Sequence, residues 1–356
     1  MRPVPTPHAI VIPSALVDPE DSAFVQALAG MRLPHLSALL ARSRVQRSPE
    51  HPAQRLSTVH EWAQAQAWGW TPTDGLLPWA AMRAQALGLD ARGEKAWAVF
   101  TLCHWHVAQG QITMASPARL GVTDAESDDL RLAMQTYCEQ DGIQLHPDGP
   151  GQWLAASELF RGLPTASLDR VVGHAVEDWW VGAGLSQPSE AAQHLRRLQN
   201  EMQMLFYTHA CNESRQTAIN SFWISGTGDL AAAHVRGGHL APAAHAGAKT
   251  PAVSPSHGTP VTQSVNGDGA WPQPGWQQPA VQRLHQAAQM RHVAAWVEAW
   301  QALDAQLLAP LANAPLAQLV LCGTRHACVV QSEASVWPSW WRAWRAPTLQ
   351  QALLDR

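Results

Sequence analysis

Apolar positions recur at three- and four-residue steps in some stretches of this chain and alternate or run together in others, and these two periods mark out its helices and strands. The most sustained helical pattern spans 189–209, where Leu195, Leu198, Met202, Leu205 and Phe206 share a face. It leads into a strand, Ile219 to Ser225, and a Gly226-Thr227-Gly228 turn. Asn200, Glu201, Gln203 and His209 interrupt that helix with polar groups that need partners if they are enclosed. Upstream, Ala9 to Ile12 reads as an internal strand ended by Pro13. Two helices follow, the second opened by Pro34 with Leu36, Leu39 and Leu40 on one face. The polar, Pro-containing stretch 44–57 reads as a surface loop, and helices resume at 58–68 and 79–88. Ala96 to Cys103 reads as a strand paired with Gln111 to Met114 across Gln109-Gly110. Thr123 and Glu126 form a capping box for a helix reaching Cys138. Ile143 to Leu145 and Trp153 to Ala155 suit a hairpin with a longer loop, and 165–180 reads as helical. The later pattern predicts a helix over 281–308, strands Ala317 to Cys322 and Ala327 to Val330 around Gly323-Thr324-Arg325, and a Trp-rich helical end.

The pattern fails between 231 and 280, where Ala, Gly, Pro, Ser and His dominate and large aliphatic residues nearly vanish. Such a stretch buries too little apolar surface to offset its ordering entropy, so it is expected to be a flexible insertion open to proteolysis. Ordered patterns on both sides make 1–230 and 281–356 one α/β domain, and 356 residues are ample for its core. The net charge of −4 gives no electrostatic reason to expect nucleic acid or an anionic membrane as partner. No basic segment precedes an apolar leader and no run approaches a membrane span. The five scattered cysteines, with no CxxC pair, suit reduced thiols in the cytoplasm. Eighteen Trp against two Tyr is the compositional oddity. Groups such as Trp62, Trp68 and Trp70, or Trp337, Trp340, Trp341 and Trp344, could line a ligand groove or fill the core.

Candidate chemistry is sparse. His104 and His106 follow a strand on one face, a spacing that can bind zinc, but no third ligand is close in sequence. His234, His239, His245 and His257 could capture a metal without fixed geometry, or be incidental to the composition of the insertion. Gly226-Thr227-Gly228 suits either a backbone nest for an anion or a plain turn, and lacks the spacing and Lys of a P-loop. Glu201 and His209 lie about two turns apart and could serve one cleft as an acid/base pair, with Asn200, Gln203, Asn220 and Thr227 beside them. Equally, these are the polar contacts of a helix packed on a sheet edge. No Gly-x-Ser-x-Gly elbow and no His-Glu-x-x-His helix occurs.

Leu195-Arg-Arg-Leu-Gln-Asn-Glu-Met-Gln-Met-Leu and Asn220-Ser-Phe-Trp-Ile-Ser-Gly-Thr-Gly, with Leu102-Cys-His-Trp and Thr165-Ala-Ser-Leu-Asp-Arg-Val, resemble a bacterial family labelled phosphoglycerate-mutase-like or RpfE-type regulatory. The likeness covers nearly the whole chain outside 231–280. It implies a distant similarity to the cofactor-independent phosphoglycerate mutases of the alkaline-phosphatase superfamily, which pair two metal ions with a Ser or Thr nucleophile. Where the first strand of those enzymes ends in an Asp ligand, this chain has Pro13-Ser14. Where their late strand ends in Asp-His-Gly, it has Cys322-Gly323-Thr324-Arg325-His326, and His326 alone approximates a ligand.

The expected fold is therefore α/β, a mixed or mostly parallel sheet flanked by helices, alkaline-phosphatase-like, with a disordered insertion. Two functions stay open. One is a regulatory protein binding a small-molecule ligand or a protein partner. The other is a metal-dependent phosphomutase or phosphatase with a rearranged site, for which manganese or zinc is the cofactor to expect.

Overall fold

The computed structural model describes residues 9–91, 95–108, 110–182, 188–228, 230, 279–311, 318–332 and 347–356. Almost all of the insertion 231–280, the His tract within it and the Trp-rich stretch around Trp340 lie outside these residues.

Two four-stranded sheets organise the described chain. Strands β1 (Ala9–Ile12) and β2 (Ser43–Arg47) belong to the first, β3 (Ala96–Cys103) to the second, and β4 (Trp105–Ala108) with β5 (Gln111–Met114) forms a separate ribbon. β6 (Gln144–Pro147), β7 (Gln152–Ser157) and β8 (Ser221–Gly228) complete the second sheet in the order β6-β7-β3-β8. β9 (Gln318–Cys322) and β10 (Ala327–Ser332) complete the first in the order β1-β9-β10-β2. β1 runs parallel to β9, while the other pairs of that sheet and all pairs of the second are antiparallel. The first sheet is thus mixed and the second wholly antiparallel, and the mostly parallel arrangement is not the one adopted.

The first sheet is covered on both faces. α1 (Ser22–Gly30) and α2 (Pro34–Arg42) precede α3 (Val59–Ala67) and α4 (Trp79–Ala86) in the chain. Val11, Val320, Cys322 and Ala327 meet Val59 of α3 on one face. Ile12, Leu319, Leu321 and Val330 turn the opposite way, towards Leu28 of α1 and Leu36, Leu39 and Leu40 of α2. That alternation follows from the period of two along a strand. In the second sheet, Ala96, Ala98, Phe100 and Leu102 of β3 face α5 (Asp124–Gln140) and, beyond the short α6 (Leu168–Val171), α7 (Glu190–Tyr207). Trp97 and Val99 face Ala80, Ala81 and Ala84 of α4. With both faces covered, all eight residues of β3 are buried. α8 (Pro279–Gln289) and α9 (Val293–Leu303) then return to the first sheet, where Trp296 and Trp300 are fully enclosed. No helix among the described residues is long and apolar enough to cross a membrane.

Several sequence expectations are corrected. β3 pairs with β7 and β8, and Gln111–Met114 pairs with β4. β1 is an edge strand of its described sheet rather than an internal one. The stretch 44–57 begins inside β2, whose alternating exposure suits an edge. The segment 165–180 is only α6 and a 3-10 turn, Val176–Trp179, separated by Gly173 at φ 79°. The single helix expected over 281–308 breaks after Gln289, where Arg291 takes φ 53°. Gly226-Thr227-Gly228 is no turn but the end of β8. Its glycines reach φ 64° and 134°, values that side-chain-bearing residues rarely adopt.

Candidate functional site

The polar residues singled out around α7 do not gather on one concave surface. Asn200 and Glu201 are exposed and Gln203 is half-buried; the enclosed amide of this helix is Gln199, which donates to the Phe222 carbonyl at 3.0 Å. His209 accepts from the Cys211 N–H at the start of a 3-10 turn. Asn220 clamps β4, its Oδ1 accepting from Trp105 N at 2.7 Å and its Nδ2 donating to Trp105 O at 2.9 Å. Thr227 is fully buried and donates to the Leu163 carbonyl at 2.6 Å. Its segment is a strand end without an exposed nest. His104 is held by the Ala218 carbonyl, while His106 is exposed on β4. His326 sits in the turn between β9 and β10 of the first sheet, against Asp355, 3.0 Å away. No group of three or more His, Cys, Asp or Glu among the described residues stands close enough to hold a metal ion.

The structure instead brings together four segments that the sequence keeps far apart. After β1 the chain turns over the end of β9: the N–H groups of Ala15 and Leu16 both donate to the Cys322 carbonyl, at 2.7 and 3.2 Å. Ser14, at this turn, takes φ 51°, one of two described non-glycine residues at positive φ. A polar side chain in that conformation is uncommon, and such outliers concentrate where the surroundings fix them for a purpose. Trp296 of α9 donates its indole N–H to the Ser14 carbonyl at 3.2 Å. The Ser14 hydroxyl lies 2.9 Å from His285 Nδ1.

His285 and Gln289 stand one turn apart on α8, so both reach the same neighbour. That neighbour is Asp169 of α6. His285 Nε2 is 3.1 Å and His60 Nε2 of α3 is 3.3 Å from Asp169 Oδ2, and the Gln289 amide donates to Oδ1. Gln289 Nε2 also lies 3.0 Å from His285 Nε2. A carboxylate only accepts, so His285 carries its proton on Nε2, which leaves Nδ1 bare to accept from Ser14. The hydrogen bonds thus run in one direction, Ser14 O–H to His285 to Asp169.

Burial alone would raise the Asp169 carboxyl, but its contacts with His285 and His60 hold it well below the usual carboxylate range. Burial pushes His60 down to about 4 despite its Asp169 partner, so at neutral pH it is an uncharged donor. Glu61, beside His60 on α3, is raised by burial to about 7, opposed chiefly by the Thr58 N–H that it caps. Asp169 is therefore an anion held by two imidazoles and an amide, with a serine at the end of one imidazole. The cluster is nearly enclosed: the side chains of His60, His285 and Asp169 are 8, 16 and 21% exposed.

Of these residues the sequence singles out Ser14, as the position where an Asp would stand in the resembling enzymes, and Asp169 only as part of the Thr165–Val171 motif, with no role attached. Adjacent pairs, His60-Glu61 and Asp169-Arg170, were the available signal, but neither has a spacing that names a chemistry.

No protein-family model and no curated protein sequence matches the chain. Among solved structures it is similar to the PH0037 protein from Pyrococcus horikoshii, at 14% identity and a TM-score of 0.36, over 63% of this chain and 51% of that one. It is also similar to the cofactor-independent phosphoglycerate mutase from Thermoplasma acidophilum DSM 1728, at 13% identity and a TM-score of 0.34, over 93% and 91%. The chain spans about half the length of the first of these. Likeness at this level carries no argument about activity.

Proposed function

We propose that the Ser14–His285–Asp169 array is the centre of an ester hydrolase or transferase in which Ser14 is the nucleophile. The observation that carries this is the directed hydrogen-bond chain, 2.9 Å from Ser14 Oγ to His285 Nδ1 and 3.1 Å from His285 Nε2 to Asp169 Oδ2. A serine hydroxyl becomes a useful nucleophile when an adjacent base takes its proton and a third group orients that base. Here Ser14 Oγ attacks the ester centre and its proton passes to His285 Nδ1. The resulting imidazolium is stabilised by Asp169, and the same proton then leaves with the departing alkoxide. His60 and Gln289 keep the Asp169 carboxylate aligned and are positioning residues. The site lies beyond the carboxyl ends of β1 and β9, where ligands of open α/β sheets bind.

A fluorophosphonate probe followed by peptide mass spectrometry tests this. An adduct on Ser14 is expected, absent in Ser14→Ala and slowed about 10²- to 10⁴-fold in His285→Gln, the range for loss of a general base. No adduct on the native protein, or labelling at an unchanged rate in His285→Gln, would overturn it. Hydrolysis of 4-nitrophenyl esters and 4-nitrophenyl phosphate, with chelator or with added manganese or zinc, separates this reading from metal-dependent phosphoryl transfer.

The alternative is a regulatory protein that binds a ligand or partner without turnover. One observation favours it: Met204 and Tyr207 of α7, three residues apart, are 70 and 72% exposed, an apolar pair that a partner would cover.

A further inference from the structure

β1 and β9 run parallel with Ile12 opposite Leu321, and the Cys322 carbonyl faces the β1 side. Along such a ladder a strand turns its N–H groups to the same neighbour at every second residue. After Ile12 the next donor in step is therefore Ser14, and its acceptor is the Cys322 carbonyl. The chain does not keep that step. Ser14 takes φ 51°, and the Cys322 carbonyl accepts instead from Ala15 N at 2.7 Å and from Leu16 N at 3.2 Å. A carbonyl has two lone pairs, so this acceptor is filled. The Ser14 N–H has no hydrogen-bond partner among the described residues. Trp296, 1% exposed, holds the Ser14 carbonyl through its indole N–H at 3.2 Å and so fixes the residue from the other side. The left-handed turn thus releases one backbone donor from the sheet, at the residue whose hydroxyl is bonded to His285. The amide nitrogen and hydroxyl of one serine are joined through only two carbons, which places this donor within reach of a group bonded to Oγ. Ser14 is half-buried, so an incoming group can meet both.

We infer that the Ser14 N–H is the oxyanion donor of this site, and that the substrate is a carboxylic ester whose acyl group passes to Ser14. This rests on the function proposed above and narrows it to one class of ester. As Ser14 Oγ bonds to the carbonyl carbon, the π electron pair moves to one oxygen and the hydroxyl proton goes to His285 Nδ1. One neutral donor beside Oγ matches one developing oxyanion. The pair then returns to carbon, and the alkoxide leaves with the proton from His285. Water attacks the acyl ester on Ser14, gives its proton to His285 in turn, and releases the acid with the serine hydroxyl restored. A transferring phosphoryl group instead spreads its charge over three equatorial oxygens. The side chains that contact Ser14 among the described residues, His285 and Trp296, include no arginine or lysine to take up that charge. Asp169, behind His285, adds a negative charge that disfavours a dianionic substrate.

The test uses the full chain, labelled with ¹⁵N, before and after reaction with a fluorophosphonate, whose phosphoryl oxygen takes the oxyanion position. In the free protein the Ser14 amide should exchange with solvent faster than those of Ala15 and Leu16, which are bonded to Cys322. In the adduct the Ser14 amide proton should gain a scalar coupling to phosphorus. That coupling reports the hydrogen bond, because too many covalent bonds separate the two nuclei. With 4-nitrophenyl acetate, Ser14 should become acetylated as 4-nitrophenol is released, and 4-nitrophenyl phosphate should leave no phosphoryl group there. The hydroxy-acid analogue of serine at position 14 replaces the peptide N–H by an ester oxygen and keeps the hydroxyl. It should slow acetyl transfer about 10²- to 10³-fold. The inference is overturned, with the nucleophile left standing, if a labelled Ser14 shows no coupling or if its free amide is as protected as its two neighbours. Acetyl transfer unchanged by the ester oxygen, phosphoryl rather than acetyl transfer to Ser14, or neither, overturns it likewise. Failure of the fluorophosphonate to react at Ser14 removes both this inference and the function it rests on.

Discussion

Replacing Glu61 with Gln should change how stability depends on pH more than how large it is. Folding moves the Glu61 carboxyl from 4.5 to about 7. The folded state therefore holds this proton more tightly, and the resulting stability is fully present below pH 4.5 and lost as pH rises to 7. The difference corresponds to about 3 kcal/mol. His60 works in the opposite sense. Its imidazole falls from 6.5 to about 4, so its contribution is present above pH 6.5 and lost as pH falls to 4, again by about 3 kcal/mol. Over almost the same interval the two slopes oppose each other, and the native protein should show a nearly level profile between pH 4.5 and 7. Glu61→Gln removes one limb. Its stability should match the native protein near pH 4.5, rise with pH, and exceed it by about 3 kcal/mol at pH 8. Urea denaturation at half-unit pH intervals reads this directly, with the slope against urea checked for constancy. A difference between variant and native protein that stays the same from pH 4.5 to 8 would refute the reasoning, because a lost packing contact does not titrate.

Two other carboxylates hold backbone ends and should be costly to remove. Asp304, 3% exposed, accepts the N–H groups of His35 and Leu36 at 3.2 and 2.8 Å and so caps α2, whose own N-cap residue Leu33 provides no side-chain bond. Asp304→Ala should cost about 2–3 kcal/mol in urea denaturation, with Asp304→Asn recovering part of it. Asp355, 1% exposed, accepts from the N–H groups of Thr324, Arg325 and His326 and from the His326 ring, fixing the turn between β9 and β10. Asp355→Ala should lower stability by about 3 kcal/mol and speed amide exchange at these three residues first. Exchange that rises evenly across the first sheet would show that the turn has no local role.

What could be read from the sequence was what neighbouring residues decide among themselves. The Thr123–Glu126 box, Pro34 opening α2, the Leu36-Leu39-Leu40 face and the β6–β7 hairpin are all settled within a few positions, and the structure carries each of them. β2 escaped notice because Ser-Arg-Val-Gln-Arg offers only Val45 to a core, and its strand form comes from pairing with β10. β3 was recognised but given the wrong neighbour, since its partners lie some fifty and a hundred and twenty positions away and local pattern carries no register over such distances. Gly-Thr-Gly looked like a turn because glycine tolerates positive φ, which here lets β8 continue with Gly228 close against Pro78. The Asp169 cluster was hidden for the same reason as the β3 partners: Ser14, His60, Asp169 and His285 acquire a relation only when separate elements converge.

The parallel pairing of β1 with β9 has a consequence for the order in which the molecule assembles. The second sheet draws its strands from residues 96–228, whereas Ala9 meets Gln318, closing a loop of roughly 300 residues. The entropic cost of closure grows only about 0.6 kcal/mol per doubling of length, but contacts so remote form late and slow the search. The second sheet can therefore be complete while β1 still waits for β9. Ser14 occupies its turn only once that pair closes over the Cys322 carbonyl. A chain still emerging from the ribosome would thus hold a finished half and a Ser14–His285 contact that is still unassembled.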